Sequence, residues 1–249
     1  MPGTTLYHYL MSVCSMKTRL GLAEMEVPYR SREVDIGFTL ENFEPWYVKL
    51  NPRAVVPTLQ DDSTVVTDSA KILRYAAAKW RPAMLGEGAG RNLVEDWVRS
   101  GDGVNLQVIT YAFNGVPRGA ELLEARLARS REYQAKYPEL ADIYGAVHQR
   151  ILNHKSSAAA KPDVARALAE LDSTLGRLDA HLEGAPFIGG ASYSIADVIW
   201  TVILARLHLL KRPEVSPEKF SHVSAYYDRM TKRTSFAAAK VQPVWVGGI

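Results

Sequence analysis

The spacing of apolar residues changes once along this chain of 249 residues, and that change constrains the fold more than any other feature. Up to about residue 80, short runs typical of β-strands alternate with stretches of helical spacing. Beyond about residue 92 the spacing is helical, with almost no strand signal. We therefore expect a small mixed α/β unit followed by an all-α unit.

The first 80 residues predict the element order β-α-β-loop-β-β-α. Ser69 is a favourable N-cap for the second helix. The predicted strands cover residues 6–9, 29–35, 58–59 and 65–67, and the predicted helices cover 15–25 and 69–79. A small mixed sheet with helices packed on it is the thioredoxin-like arrangement. The predicted fold class is an α/β thioredoxin-like N-terminal domain followed by an all-α C-terminal helical domain.

The second half predicts helices separated by short breaker segments that contain Gly or Pro. The predicted helices cover residues 92–111, 120–133, 141–153, 164–182, 195–209 and 217–230. The main breakers are predicted at residues 115–117, 138, 156–162 and 184–190. We therefore predict a first domain at residues 1–82, a Gly-rich linker at 83–91 and a helical domain at 92–249.

Composition and charge argue against several classes of function. The 30 basic and 27 acidic residues are mixed along the chain, and no basic stripe predicts nucleic-acid binding. No apolar stretch approaches the roughly 20 residues of a membrane span, and the N-terminus lacks the pattern of a signal peptide. A single cysteine without an export signal predicts a cytoplasmic location. The six histidines show no i, i+4 pairing, so we expect no metal.

The only cysteine, Cys14, lies in the sequence SVCS directly after the first predicted strand. At such a strand-to-helix turn, backbone N–H groups stabilise an anion, which favours a reactive thiolate. An isolated cysteine also fits the simpler role of a small, inert apolar side chain. A second signal is needed to decide between these two interpretations.

Two downstream motifs supply such signals. Pro57 stands at the start of a predicted strand, and a cis Val56-Pro57 bond would turn the backbone of Val56 outward to pair with a peptide. Asp68 and Ser69 lie at a helix N-terminus, where N–H groups favour a bound carboxylate. An ordinary edge strand and a plain helix cap would give the same residues. Together with Cys14, however, the motifs describe a site for a small thiol peptide such as glutathione.

The chain therefore resembles the glutathione S-transferase superfamily. The sequence YSIAD at 193–197 strengthens this resemblance, since Ser194 and Asp197 would form a capping box in a core helix. Within the superfamily, SVCS followed by Lys17 and Arg19 resembles the zeta class, whose members isomerise maleylacetoacetate. Longer strings at 11–20, 34–45, 107–111, 115–119 and 247–249, with an inserted helical segment at about 113–160, resemble the superfamily's reductive dehalogenases.

The resemblance implies glutathione as co-substrate and a chlorinated hydroquinone, such as the tetrachloro or trichloro compound, as substrate. Ser12 would donate a hydrogen bond to the glutathione thiolate, which displaces chloride to give a glutathionyl-hydroquinone. Cys14 would then form a mixed disulfide with glutathione and release the dechlorinated hydroquinone. A second glutathione would regenerate Cys14. Glutathione itself would be held by Val56, Pro57, Asp68 and Ser69.

The pocket for the second substrate is harder to identify from sequence. The helix predicted at 92–111 offers Asn105 and Tyr111, and the following loop offers Arg118, although each also fits a core or capping role. Lys17 and Arg19 are close enough in sequence to favour the Cys14 thiolate. The alternative is that Lys17 is solvated and that Arg19 forms a structural ion pair. The resemblance also implies a homodimer.

Two other functions remain open at this stage. A zeta-like cis–trans isomerase of maleylacetoacetate or maleylpyruvate would use the same site without oxidising glutathione, so Cys14 would be dispensable. A non-catalytic glutathione-binding module would bind the peptide and turn over no electrophile.

Overall fold

The computed structural model describes residues 3–113, 117–159, 161–211 and 216–241. Its strands are β1 (Thr4–His8), β2 (Arg30–Glu33), β3 (Thr58–Asp61) and β4 (Thr64–Thr67). The helices of the first half are α1 (Val13–Glu24), α2 (Pro45–Leu50) and α3 (Ser69–Trp80), with a short 3-10 helix at Glu41–Phe43. The predicted element order is confirmed, and α2 with the 3-10 helix occupies the predicted loop.

The four strands form one sheet in the order β2-β1-β3-β4. Strand β1 is parallel to β2 and antiparallel to β3, and β4 is antiparallel to β3. The register places Tyr7 opposite Thr58 and Thr58 opposite Thr67. The carboxyl end of β1, the amino end of β3 and the carboxyl end of β4 therefore meet at one end of the sheet. This arrangement brings the starts of α1 and α3 close to Pro57.

The second half is helical, as predicted. Its helices are α4 (Ala89–Gly103), α5 (Leu106–Phe113), α6 (Pro117–Lys136), α7 (Ala141–Ala159), α8 (Lys161–Glu183), α9 (Ile195–Leu210), α10 (Ser221–Thr231) and α11 (Thr234–Ala238). Further 3-10 turns lie at Pro82–Leu85, Pro138–Leu140 and Pro217–Lys219. None of the described helices is long and apolar enough to cross a lipid bilayer.

Three predicted helices have different bounds in the structure. The single helix predicted at 92–111 is wrong, because Val104 leaves the helical conformation and Asn105 begins a new helix. The break between helices predicted at 156–162 is shorter in the structure, since α7 continues to Ala159 and α8 begins at Lys161. Pro162, near the start of α8, occupies a place where a missing N–H costs little. The helix predicted at 217–230 is a 3-10 turn followed by α10.

The two halves are joined by a shorter irregular segment than the predicted linker. The 3-10 turn at Pro82–Leu85 and the start of α4 leave only residues 86–88 outside helices. Gly86 has a φ of +76°, and a Cβ there would lie 2.7 Å from the carbonyl oxygen of Gly90. This tight turn therefore requires glycine. The domain bounds at 1–82 and 92–249 remain a prediction.

A hydrophobic core continues from the sheet half into the helical half. Leu20 of α1 and Leu73 of α3 belong to the same buried cluster as Val198 and Trp200 of α9. The indole N–H of Trp200 donates to the carbonyl oxygen of Trp97 at 3.0 Å. Helix α9 packs against both α1 and α4, so it fixes the first half relative to the second.

Candidate active site

The N-terminus of α1 presents Ser12 and Cys14, which are two residues apart, at the sheet end described above. Ser12 is the N-cap, and its Oγ accepts a hydrogen bond from the N–H of Ser15 at 3.3 Å. That bond uses an acceptor lone pair and leaves the Ser12 O–H available to donate. Cys14 is a free thiol and is exposed. In the described part of the chain, no three His, Cys, Asp or Glu side chains are grouped to hold a metal ion.

Two arginines, the buried Arg19 and the half-buried Arg206, hold the loop that precedes α1. Arg19 donates to the carbonyl oxygens of Tyr9 and Leu10 at 3.3 and 3.0 Å, and Arg206 donates to that of Met11 at 3.0 Å. Arg19 thus binds neutral carbonyl groups, whereas the sequence suggested an ion pair or a role beside the thiolate. The loop that sets the position of Ser12 is held by long-range hydrogen bonds.

Lys17 is buried, so the expectation that it is solvated is wrong. Its Nζ lies 3.8 Å from a carboxylate oxygen of Asp102 on α4. Burial raises the pKa of Asp102 above its usual value, while the charge of Lys17 opposes that rise. This ion pair connects the first turns of α1 to α4.

The Val56-Pro57 peptide bond is cis, as peptide pairing at this position requires. The carbonyl oxygen of Val55 accepts from the hydroxyl of Tyr47 and from Nδ2 of Asn51, both at 2.7 Å. These bonds come from α2 and the residue that ends it, so the element that the sequence did not predict supports this edge. Neither the N–H nor the C=O of Val56 has a backbone partner among the described residues.

Asp68 and Ser69 lie at the N-terminus of α3, as predicted. Asp68 is exposed and is the N-cap, and its Oδ1 accepts from the N–H groups of Ala70 and Lys71, both at 3.1 Å. Its φ of +78° lies in the region that non-glycine residues rarely adopt. Ser69 is buried. Asp68 therefore caps α3. Its other carboxylate oxygen has no hydrogen-bond partner among the described residues.

The three residues predicted for the second substrate are not brought together as a visible pocket. Asn105 caps α5, because its Oδ1 accepts from the N–H of Val108 at 3.2 Å. It also lines a cavity of about 180 Å³ between the α4–α5 junction and α8, which includes none of the thiol-site residues. The side chains of Tyr111 and Arg118 lie outside the described residues, so their predicted contacts remain predictions.

The sequence predicts helices at 120–133 and 141–153, but it does not predict that the hairpin of α6 and α7 packs on residues 36–54. The hydroxyl of Tyr133 donates to Glu44 and that of Tyr144 to the carbonyl oxygen of Phe43, both at 2.7 Å. Side chains from both segments form a separate core cluster: Leu40, Phe43, Val48, Ala54, Leu123, Leu127, Tyr133, Leu140, Tyr144, Val147 and Ile151. The only signal was the length of the inserted segment, since no local motif encodes such a contact. The segment that precedes Pro57 is thus contacted by α2 with Asn51 and by the hairpin of α6 and α7.

Comparison with known proteins shows which protein families this chain matches. Residues 11–79 match the model of the glutathione S-transferase N-terminal domain, and residues 161–229 match that of the C-terminal domain. The chain is 50% identical over 249 residues, covering all of both chains, to a tetrachloro-p-hydroquinone reductive dehalogenase of Sphingobium chlorophenolicum.

More distant similarities are consistent with this match. A probable maleylacetoacetate isomerase of Caenorhabditis elegans is 37% identical over 70 residues, which is 28% of this chain and 32% of that protein. The theta-class glutathione S-transferase of Xanthomonas axonopodis pv. citri, solved with glutathione bound, is 27% identical and superposes with a TM-score of 0.69. That superposition covers 96% of this chain and 97% of the other. With its family models, full-length relative and fold in agreement, this chain belongs to the glutathione S-transferase family.

Proposed function

We propose that this protein is a glutathione-dependent reductive dehalogenase of chlorinated hydroquinones. The observation that carries the proposal is the exposed thiol of Cys14 in the first turn of α1, two residues after the N-cap Ser12. The full-length relative named as a reductive dehalogenase supports the substrate class. A hydroxyl and an accessible thiol at one helix terminus suit two successive sulfur reactions.

In the first stage, Ser12 donates a hydrogen bond to the thiolate of glutathione and lowers its pKa. Glutathione lies along Val56 and Pro57, with its α-amino and α-carboxylate groups at Asp68, Ser69 and the N-terminus of α3. The thiolate forms a C–S bond to the ketone tautomer of the chlorinated hydroquinone. Chloride and a proton leave, so one glutathione and one chlorinated ring give a glutathionyl-hydroquinone.

In the second stage, the Cys14 thiolate attacks the sulfur of the conjugate. An S–S bond forms to glutathione, the ring–sulfur bond breaks, and the ring carbon takes up a proton. A second glutathione thiolate then releases Cys14 and gives oxidised glutathione. Two glutathiones supply the two electrons that reduce the ring. Asn105, Tyr111 and Arg118 remain candidates for contacts to the ring, and the enzyme is expected to act as a cytoplasmic homodimer.

The second candidate is isomerisation of maleylacetoacetate or maleylpyruvate, favoured by the similarity of a segment of 70 to 75 residues to maleylacetoacetate isomerases. In that reaction glutathione adds to the double bond and leaves again, so Cys14 plays no part.

The test is to incubate the purified protein with glutathione and trichlorohydroquinone, and separately with maleylacetone. Release of chloride with formation of dichlorohydroquinone and oxidised glutathione is expected. Isomerisation of maleylacetone without chloride release would establish the isomerase instead. Glutathione binding without either turnover would identify a binding module and overturn the proposal.

A further inference from the structure

Two arginines of the α6–α7 hairpin contact the backbone of residues 36–54, in a region called the seam below, and the exposed side chain of Arg53 lies close enough for its charge to act on one of them, Arg150. Arg126 of α6 donates through Nη2 to the carbonyl oxygen of Ile36 at 2.8 Å. Arg150 of α7 donates through Nη2 to the carbonyl oxygen of Arg53 at 2.5 Å. Each contact uses a neutral acceptor. The positive charges of the seam are therefore not neutralised by these bonds.

No carboxylate compensates the three charges within the described residues. Arg53, Arg126 and Arg150 form none of the ion pairs in that part of the chain. Burial lowers the pKa of Arg150, and the nearby charges of Arg53 and Arg126 lower it further. Burial also lowers the pKa of His154, which lies one turn after Arg150, and the charge of Arg126 lowers it further. The seam is a concentration of positive charge in which Arg126 and Arg150 are half-buried and Arg53 is exposed.

A second observation points to a ligand. The Nε–H of Arg126 is buried and has no hydrogen-bond partner among the residues that the structure describes. A buried donor without an acceptor costs about 1–3 kcal/mol, more when it is charged, so native structures rarely leave one unsatisfied. Guanidinium groups present several donors in a planar fork that matches the oxygens of carboxylate and phosphate groups.

We propose that Arg53, Arg126 and Arg150 form a binding site for a small oxyanion, with at least two acceptor oxygens, in the seam between the hairpin and residues 36–54. The oxyanion has two possible sources. One is the glycine carboxylate of glutathione, which extends away from α3 along the Val56 edge; this source rests on the proposed function. The other is a free anion of the phosphate type.

A bound oxyanion would hold the hairpin and residues 36–54 together. Those residues include Asn42, whose Nδ2 donates to the carbonyl oxygen of Ala54 at 2.7 Å. Ala54 lies two residues before Val56, so an anion in the seam stabilises the edge that is proposed to pair with glutathione. Occupancy of the seam would therefore increase the thermal stability of the folded chain.

The experiment compares the wild type with Arg126→Gln/Arg150→Gln, and uses Arg131→Gln, an exposed arginine on the same hairpin, as the matched control. The thermal midpoint is measured with 10 mM inorganic phosphate and with chloride at equal ionic strength and pH. Glutathione and glutathione amide, in which the glycine carboxylate is replaced, are titrated by calorimetry. If the double variant does not fold, Arg150→Gln alone is used.

A phosphate-specific rise of about 2–4 °C in the wild type and in Arg131→Gln, absent in the double variant, supports a site for a free anion. A roughly tenfold weaker glutathione affinity in the double variant, with glutathione amide bound equally by wild type and variant, supports the glycine carboxylate as occupant. The proposal is overturned if the double variant responds to phosphate and to glutathione as the wild type does. A wild type that binds no glutathione refutes the proposed function, while the phosphate comparison still tests the seam.

Discussion

Helices α1 and α9 both begin with a serine N-cap, yet the two termini are built for different purposes. At α9, Ser194 and Asp197 form the predicted capping box and both are fully buried. At α1, Ser12 caps the helix alone, because no acidic residue occupies the first turn, and Cys14 is exposed. A terminus closed by its own acid stabilises the fold, whereas an open one can bind an anion from outside.

The closed terminus is also tied to distant elements. Asp197 accepts hydrogen bonds from the N–H groups of Ile188, Gly189 and Ser194 and from the hydroxyl of Tyr226. Burial raises the pKa of Asp197, and these donors oppose the rise by stabilising its charge. The serine motif alone thus does not distinguish a structural cap from a reactive one. The neighbouring acid and the burial distinguish them.

The largest expected effect is on the closed terminus. Asp197→Ala leaves several buried donors without an acceptor and should lower the free energy of unfolding by about 3 kcal/mol or more. Urea denaturation measures the change. Asp197→Asn, which keeps an acceptor oxygen, should cost clearly less. If the two variants lose the same free energy of unfolding, the hydrogen bonds of Asp197 are not the source of its stabilising effect.

The corresponding change at the open terminus should affect activity more than stability. Ser12→Ala removes an N-cap worth about 1 kcal/mol. It also removes the proposed donor to the glutathione thiolate, so we expect kcat/KM for chloride release to fall about 100-fold. The fraction of bound glutathione that is ionised, followed by ultraviolet absorbance, should fall in parallel. A loss of stability alone would place Ser12 with Ser194 as a structural cap.

Acid should weaken the support of the open terminus through His8. Arg19 donates to Nδ1 of His8 at 3.3 Å, and Nε2 lies 2.7 Å from Oγ of Ser31, so this geometry suits the neutral ring. Burial and the charge of Arg19 lower the pKa of His8 to about 4. Below pH 6.5 the unfolded chain therefore binds a proton that the folded chain does not.

The stability that this difference supplies is present above pH 6.5 and is lost as the pH falls towards 4. Allowing for partial solvent screening, we expect a loss of about 1–2 kcal/mol between pH 7 and pH 4.5. Urea denaturation of the wild type and of His8→Gln at both values measures it. The account requires the variant to show a smaller pH dependence, and an identical dependence would refute it.

The smallest expected effect concerns the hairpin. Tyr144→Phe leaves the carbonyl oxygen of Phe43 without its buried donor, which should cost about 1 kcal/mol and loosen residues 36–54. We expect the KM for glutathione to rise three- to fivefold with kcat nearly unchanged. Tyr137→Phe is the matched control, because its ring packs near Tyr144 but its hydroxyl makes none of the seam bonds described above. Equal effects of both variants would contradict a specific role for the Tyr144 bond.

Features that depend on neighbouring residues in sequence could be predicted. The capping box at Ser194 and the break at Pro138 follow from local chemistry, and so does the position of Ser69 at the start of α3. The break at Asn105 was not predicted, although Gly101 and Gly103 lie directly before it, because the apolar spacing continues across it. Asn105 ends the run through one side-chain hydrogen bond.

Long-range contacts were beyond the sequence. Lys17 is buried because α4 brings Asp102 to it, and Arg19 binds the carbonyl oxygen of Ala239, 220 residues away. The sequence motifs that contain Ser12, Pro57 and Asp68 predicted a single site, and the sheet topology places all three at the same end of the sheet. The side chains that hold those motifs in place come from segments whose partners only the folded chain reveals.

The most direct test of the open terminus is to mix the protein with a glutathionyl-hydroquinone in the absence of free glutathione. The intact mass is then measured after rapid quenching. We predict that the wild type gains one glutathionyl group, located at Cys14 by peptide mapping, and releases one hydroquinone per chain. Cys14→Ser should gain none and release none. Release of hydroquinone by Cys14→Ser at the wild-type rate would contradict the account.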